Sequence, residues 1–397
     1  MSWVTGWAIT FAYVSVAVFE AVAISTALDY LAPLPKAGYL WTLAGWDVYL
    51  SWAIVGMVLS LLLMWLNYIG IKPTAVTQNI LTAGLAIGGI LFILGAFVGG
   101  STANAQPIWT GIDGFAAVAM MVPFMMVGFD VIPQASEEIN LSFNLVGKIL
   151  IFAVILAAAW YILVGVGVAL ALPEAARKAS TLVTADAMGA IFGPWGARLL
   201  VAAGICGILT SWNAFFVGAS RVIFAMGRAK MLHPSFGEVH PKHRTPHRAI
   251  VLVGILCVLA PLLGRKALVW FVDAGGLGTS LAYFLVALSF VFLRVREPKL
   301  ARPYWVRGEM VVGILAILST AWFITLYLPF GSGALVWPFE WGMVFGWIVL
   351  GLILFLAGRG SYGQVTAAER EVLVFGPELA RPEVVKGAGM PGAPQEA

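Results

Sequence analysis

Three residues that interrupt a continuous helix occur close together in the segment PFMMVGFDVIPQASEEI, residues 123–139. Gly128, Asp130 and Pro133 lie in an apolar run that begins at Ile112 and is long enough to cross a bilayer. Gly128 can adopt a left-handed or extended conformation and end a first half-helix. Asp130 can then accept hydrogen bonds from the N–H groups of a second half-helix, and Pro133 in its first turn breaks no helical bond. The spacing predicts a helix that stops and restarts.

An interrupted helix leaves backbone donors and acceptors unpaired at membrane depth, where they can hold a small polar or zwitterionic solute. We expect the residues around the break to contact that solute: Met126, Val127, Gly128, Phe129 and Asp130. The alternative is a proline kink with the aspartate bonded to a neighbour, because Gly and Pro are common in ordinary membrane helices.

Three further polar residues lie within apolar runs and are candidates for coupling or for lining a path. Glu20 lies mid-span in FAYVSVAVFEAVAISTAL. It is either a proton-linked or structural carboxylate near a permeation path, or a protonated carboxyl bonded to a neighbouring serine or carbonyl. Ser211 and Asn213 share the segment TSWNAFFVGAS. They can line the site from the opposite side, although hydrogen bonding between helices is the commoner use of such residues.

The remaining reactive side chains do not form an enzyme or metal centre in the sequence. All four histidines share one polar loop with a single acid, Glu238: His233, His240, His243 and His247. Neither a metal nor another cofactor is expected there. A multi-pass membrane enzyme, such as a lipid-modifying transferase, is the alternative function, but it needs paired acid, base or nucleophile groups that are not evident. The segment WFVDAGGLGTS lacks the lysine of a phosphate loop and predicts a flexible helix start.

The composition places these residues in a membrane protein. Of the 397 residues, 61% are hydrophobic and 11% are charged, whereas soluble domains have about 25% charged residues. The formal net charge of +4 comes largely from short loops, which makes nucleic-acid binding a poor interpretation. The two cysteines lie in apolar runs and indicate no disulfide framework.

The hydrophobic pattern predicts an all-α protein with about ten membrane spans in a domain of residues 1–360, followed by a disordered cytoplasmic tail at 361–397. The predicted spans are 4–28, 48–70, 76–99, 113–134, 145–171, 196–226, 249–264, 268–293, 309–329 and 339–358. With Met1 in the cytoplasm, the cytoplasmic loops hold twelve Lys and Arg residues and the outer loops hold five. This bias predicts that both termini are cytoplasmic.

Three ordered motifs resemble the amino acid–polyamine–organocation (APC) permeases. The segment PFMMVGFDVIPQASEE is similar to the family's sixth helix. The segment ASRVIFAMGRAKMLHPSFGEVHPKHRTPHRAI is similar to its eighth helix and the following loop, and NYIGIKPTAVTQNILT to the start of its fifth helix. The resemblance runs from the N-terminus to about residue 360.

The resemblance implies a secondary transporter for an amino acid or related amine in the cell membrane, with a five-plus-five inverted-repeat fold. In this alignment the first two family helices are missing, including a discontinuous helix that holds substrate. We therefore expect a shortened chain that is inactive on its own or acts as a non-transporting membrane fragment. Gly84 and Leu85 stand where some relatives have a coupling lysine, so coupling to H⁺ through Glu20, coupling to Na⁺, or exchange stay open.

Overall fold

The computed structural model describes residues 2–134, 142–298, 302 and 304–375, and its architecture is all-α apart from one short hairpin. In chain order the elements are α1 (Ser2–Leu31), β1 (Tyr39–Leu43), β2 (Trp46–Tyr49), α2 (Leu50–Ile69), α3 (Ile71–Gly99), α4 (Ile112–Met126), α5 (Val131–Gln134), α6 (Phe143–Ala171), α7 (Glu174–Ala179), α8 (Val183–Arg228), α9 (His247–Leu259), α10 (Ala267–Arg296), α11 (Glu309–Tyr327), α12 (Phe339–Tyr362) and α13 (Ala367–Phe375).

The prediction of about ten membrane spans is confirmed. Eight helices in the described part of the chain are long and apolar enough to cross a bilayer: α1, α2, α3, α6, α8, α10, α11 and α12. Two shorter apolar segments complete the set, α4 with its continuation α5, and α9 with a 3₁₀ turn at Ala260–Leu263. The helix observed at the predicted span 196–226 is longer than predicted, because α8 begins at Val183 and continues across a bend at Gly193, whose φ is +76°.

A β-hairpin between α1 and α2 was not predicted. Strands β1 and β2 pair antiparallel, with Leu43 opposite Trp46. The two turn residues, Ala44 and Gly45, have positive φ values of 49° and 76°, as a two-residue hairpin turn requires. The indole N–H of Trp41 donates to the carbonyl oxygen of Leu262 at 3.0 Å, which holds the hairpin against the end of the α9 segment.

Helix α1 is the central element of the bundle. Most of its residues are buried, whereas most residues of the other long apolar helices are not, and it packs mainly against α8 and α10. Glycines permit this approach: a Cβ at Gly275 would lie 2.7 Å from the Cβ of Ser15, and one at Gly278 would lie 2.8 Å from Phe11. Close packing at small residues is a main source of helix association in lipid. The expected flexible start at 270–280 is therefore wrong, because these glycines lie inside a continuous α10.

Two tryptophans join α1 to α12 through reciprocal hydrogen bonds. The indole N–H of Trp7 donates to the carbonyl oxygen of Trp347 at 2.9 Å, and that of Trp347 donates to the carbonyl oxygen of Trp7 at 3.0 Å. The two rings stack with centroids 4.5 Å apart. Each buried indole donor thus has a partner in a medium without water.

Part of the tail for which disorder was expected, from residue 361, is helical within the described residues. Helix α13 follows α12, and Val372 on it is buried. The guanidinium of Arg370 donates to the carbonyl oxygens of Ala229, Tyr362 and Val365 at 2.9–3.1 Å. A cation that satisfies terminal helix carbonyls stabilises this arrangement. Residues 376–397 lie outside the described residues.

Replacing Trp347 with Phe should lower the apparent melting temperature of the detergent-solubilised protein, because one buried hydrogen bond is lost, worth about 1 kcal/mol. Trp322 on α11 is 41% exposed and provides the matched control, Trp322→Phe, for which we expect little change. Equal melting temperatures for Trp347→Phe and the unmodified protein would show that the reciprocal bonds contribute little to stability.

Candidate functional site

The predicted helix interruption is present and is centred on Gly128. Helix α4 ends at Met126, and Val127 has extended dihedral angles, φ −63° and ψ 143°. Gly128 has a φ of +129°, which side-chain-bearing residues rarely adopt. One turn later α5 begins at Val131, whose N–H donates to the carbonyl oxygen of Gly128 at 3.1 Å. Pro133 lies in this first turn, as predicted.

The break leaves backbone donors available. The amides of Phe129 and Asp130 lie between the two helices and form no hydrogen bond with the described residues. Unpaired backbone groups at membrane depth are tolerated where they face protein or a polar cavity. These amides can therefore donate to a polar group of a bound solute.

The Asp130 carboxylate stabilises the break rather than capping the second helix. One carboxylate oxygen accepts from the Gly128 N–H at 2.9 Å, and the other accepts from the Tyr13 hydroxyl at 2.7 Å. The prediction that Asp130 caps α5 is thus wrong within the described residues Val131–Gln134. The turn at Gly128 points the Gly128 N–H, rather than an N–H of α5, at the carboxylate. The alternative of an aspartate bonded to a neighbour is correct for the side chain, although the helix itself is interrupted and not only kinked.

A cavity of about 610 Å³ adjoins the second half of the break. Phe129 and Asp130 line it together with residues of α1, α8, α10 and α11. Tyr283 of α10 lies on the same wall, with its ring 5.8 Å from that of Phe129, and its buried hydroxyl has no hydrogen-bond partner among the described residues. The remaining lining is largely apolar, and the volume falls within the range of small-molecule sites.

The other predicted residues of the break do not line this cavity. Val127 is buried in the main apolar core, and Met126 is half-buried at the end of α4. Gly128 lies against α8, where an added Cβ would be 3.1 Å from the ring of Phe215. Within the predicted stretch, only Phe129 and Asp130 line the cavity.

Glu20 and Ser211, predicted separately, lie together at a second position. Glu20 is buried on α1, and the Ser211 hydroxyl on α8 donates to its carboxyl group. This matches the interpretation of a carboxyl bonded to a serine, and the partner belongs to another helix. Glu20 does not line the large cavity. No group of three potential metal ligands was found within the described residues.

Asn213 belongs to a third group that joins three helices. Its side-chain oxygen accepts from Asn67 of α2 at 3.0 Å, and its side-chain nitrogen donates to Gln78 of α3 at 3.2 Å. These bonds support the interhelical interpretation of Asn213. A smaller, mostly apolar cavity of about 130 Å³ lies beside this group.

Four polar residues at these positions were not predicted from the sequence: Tyr13, Asn67 and Gln78, which hydrogen-bond to the predicted residues, and Tyr283, which lines the large cavity. Each was detectable as a polar group inside an apolar span. Their importance depends on which helices are neighbours, which a single sequence does not state.

Comparison with known proteins assigns the chain to a family. The profile of the family described as "Amino acid permease" matches residues 1–356. The chain belongs to the amino acid permease family. Its members are transporters, so the alternative of a membrane enzyme is wrong and the predicted APC resemblance is confirmed.

Similarity to individual permeases is lower and partial. The chain is 27% identical over 300 residues to the branched-chain amino acid permease BcaP of Bacillus subtilis (strain 168), covering 75% of this chain and 62% of that protein. It is 31% identical over 188 residues to cationic amino acid transporter 4 of Mus musculus, covering 47% and 29%. It is 26% identical over 228 residues to the low-affinity putrescine importer PlaP of Escherichia coli (strain K12), covering 55% and 47%. The matches thus span less than two thirds of the length of each of these relatives.

Replacing Gly128 with Ala should destabilise the permease by about 1–3 kcal/mol, because the required φ is strained for any residue with a Cβ. The matched control is Gly342→Ala in α12, where an added Cβ meets nothing within 4 Å and the change should be neutral or stabilising. Both are measured as shifts in apparent melting temperature. A Gly128→Ala protein as stable as Gly342→Ala would contradict the strained conformation.

Proposed function

We propose that this permease is a secondary transporter that carries an amino acid or a related amine across the cell membrane. Family membership supports the class of transport. The relatives named above carry branched-chain amino acids, cationic amino acids or putrescine according to their names. These solutes share an ammonium group, and most also have a carboxylate.

The interrupted helix is the observation on which the proposed site depends. The amides of Phe129 and Asp130, which have no hydrogen-bond partner among the described residues, suit a carboxylate or other acceptor because they are preorganised and need no side-chain ordering. The Asp130 carboxylate supplies negative charge for an ammonium group at the same wall of the cavity. Tyr283 and the apolar lining leave room for a side chain of moderate size.

Glu20 is the proposed coupling group, with H⁺ as its ion. It is buried, and among the described residues its hydrogen-bond partner is a serine rather than a base. A carboxyl at membrane depth without a basic partner is expected to be protonated in part of the cycle. Coupling to Na⁺ is the competing proposal, and it predicts that uptake responds to a sodium gradient instead. The excess of basic residues in alternate loops supports cytoplasmic termini for the proposed orientation.

Uptake into proteoliposomes tests both substrate class and site. The purified chain is assayed with radiolabelled amino acids and polyamines, alongside Asp130→Asn and the control Asp113→Asn, which lies in the first turn of α4 and outside the break. In place of the inactivity expected from the alignment, this proposal predicts substrate-specific accumulation. Asp130→Asn should reduce it at least about tenfold, since a charge-assisted contact is worth about 1.5–3 kcal/mol, whereas Asp113→Asn should keep uptake. Equal uptake by the two variants would contradict the proposed site, and no accumulation of any tested solute would contradict transport by this chain.

Replacing Glu20 with Gln should abolish the response of uptake to an imposed pH gradient, because Gln can accept the Ser211 bond but carries no proton to release. Uptake down the substrate's own gradient should continue. The measurement compares initial rates with and without the pH gradient in the Glu20→Gln and unmodified proteins. A response equal to that of the unmodified protein would leave Glu20 a structural role only.

A further inference from the structure

The loop between α8 and α9 contains a turn that requires an unprotonated histidine. The Nδ1 atom of His240 accepts hydrogen bonds from the backbone N–H groups of Lys242 and His243, both at 3.2 Å. A ring nitrogen can accept only while it carries no proton. The arrangement therefore assigns His240 to the neutral tautomer with its proton on Nε2, and a second proton on Nδ1 would abolish both bonds.

This turn fixes the loop to the end of α2. The N–H of His240 donates to the carbonyl oxygen of Thr245 at 2.8 Å, and the N–H of Arg244, which has a positive φ of 55°, donates to the carbonyl oxygen of His240 at 2.9 Å. The buried Thr245 hydroxyl then donates to the carbonyl oxygen of Tyr68 in the last turn of α2, at 2.9 Å. Helix α9 begins two residues later. We call residues 240–245 and their contact with Tyr68 the latch.

The surroundings of His240 oppose its protonation. Its ring centroid lies 5.2 Å from that of Tyr68, 4.9 Å from that of His243 and 5.4 Å from that of His247. Partial burial, with the nearby His243, His247 and Lys242, lowers the pKa of His240 below the ordinary imidazole value. The other charged groups nearby are Arg244 in the turn, Glu238 in the loop before it, and Arg248 in the first turn of α9. Glu238 and Arg248 form an exposed ion pair at 3.4 Å. The Nδ1 of His247 is buried without a hydrogen bond among the described residues.

We propose that the latch is a pH-sensitive switch: protonation of His240 at Nδ1 opens the turn and releases the α8–α9 loop from the end of α2. The proposal concerns the α8–α9 loop and does not depend on the proposed substrate site. Opening of the latch loosens the connection between α2 and α9 when the solution on that side of the membrane becomes acidic.

The sign of the effect follows from the lowered pKa. Above the ordinary imidazole pKa of about 6.5, His240 is neutral in both the open and the closed latch, and the closed state is fully favoured. As the pH falls through about 6.5, the open loop binds a proton that the closed latch resists, so the closed state loses stability. The opening continues until the pH passes the lowered pKa of the closed form.

Hydrogen–deuterium exchange of the detergent-solubilised full chain tests the switch. Peptides covering residues 242–250 are compared between the unmodified protein and His240→Asn at the same pH, so that the intrinsic pH dependence of exchange largely cancels. The Asn side-chain oxygen can replace the Nδ1 acceptor but does not titrate. At about pH 7.5 the two proteins should exchange alike. At about pH 5.5 the unmodified protein should exchange at least about fivefold faster than His240→Asn, the rate change expected if even one of the two backbone bonds to Nδ1 contributes about 1 kcal/mol.

His233 provides the matched control. Its Nδ1 also accepts from an amide two residues later, Ser235 N–H at 3.3 Å, in the same loop. His233→Asn should behave like the unmodified protein at both pH values. Identical exchange of unmodified protein and His240→Asn at about pH 5.5 would overturn the proposal. If His240→Asn does not fold, the unmodified protein still decides: protection of residues 242–250 relative to the 39–49 hairpin must fall on acidification, and constant relative protection would overturn it.

Discussion

The need to satisfy backbone polar groups inside the bilayer governs this structure. Nearly every span meets it with unbroken helical hydrogen bonds, and a gap in them requires another partner. At the α4–α5 break the Asp130 carboxylate supplies one, by accepting from the Gly128 amide while the Tyr13 hydroxyl donates to its second oxygen. Only part of the break is satisfied in this way, because the Phe129 and Asp130 amides keep no described partner. In the proposed site, a solute that brings its own acceptor would complete the hydrogen bonding there.

The position of Tyr13 depends on how α1 is held. Gly275 and Gly278 let α10 approach α1 closely. Trp7 joins the N-terminal part of α1 to α12 through the reciprocal indole hydrogen bonds. On the other side, Gly218 of α8 lies against the Tyr13 ring, where an added Cβ would be 3.2 Å from it. Helix α1 is thus held on two sides, and the Tyr13 ring packs against α8, which makes its hydroxyl a preorganised donor to Asp130 rather than one that must be ordered at a cost in entropy.

Residue types predicted the break correctly, because Gly128 and Pro133 have backbone restrictions that do not depend on the rest of the fold. The role of Asp130 was predicted wrongly, because its partner Tyr13 is 117 residues away and a sequence does not state which helices touch. The hairpin at 39–49 was missed because a span count based on apolar length ignores short strands. Helix α13 was missed because the tail was judged by its overall composition, although its first part contains the buried Val372 and the bonded Arg370.

Helix α8 links the polar positions that the sequence suggested. Ser211 holds the Glu20 carboxyl, Asn213 joins α2 and α3, and Phe215 with Gly218 packs against the α4–α5 break. These four residues span only two turns, so the helix between them behaves as a nearly rigid unit. Under the coupling proposed for Glu20, a change in its bond to Ser211 is expected to act on the surface against which Gly128 packs. These contiguous contacts are the physical route that the proposed coupling requires between a proton on Glu20 and the conformation of the break, because Glu20 does not itself line the cavity.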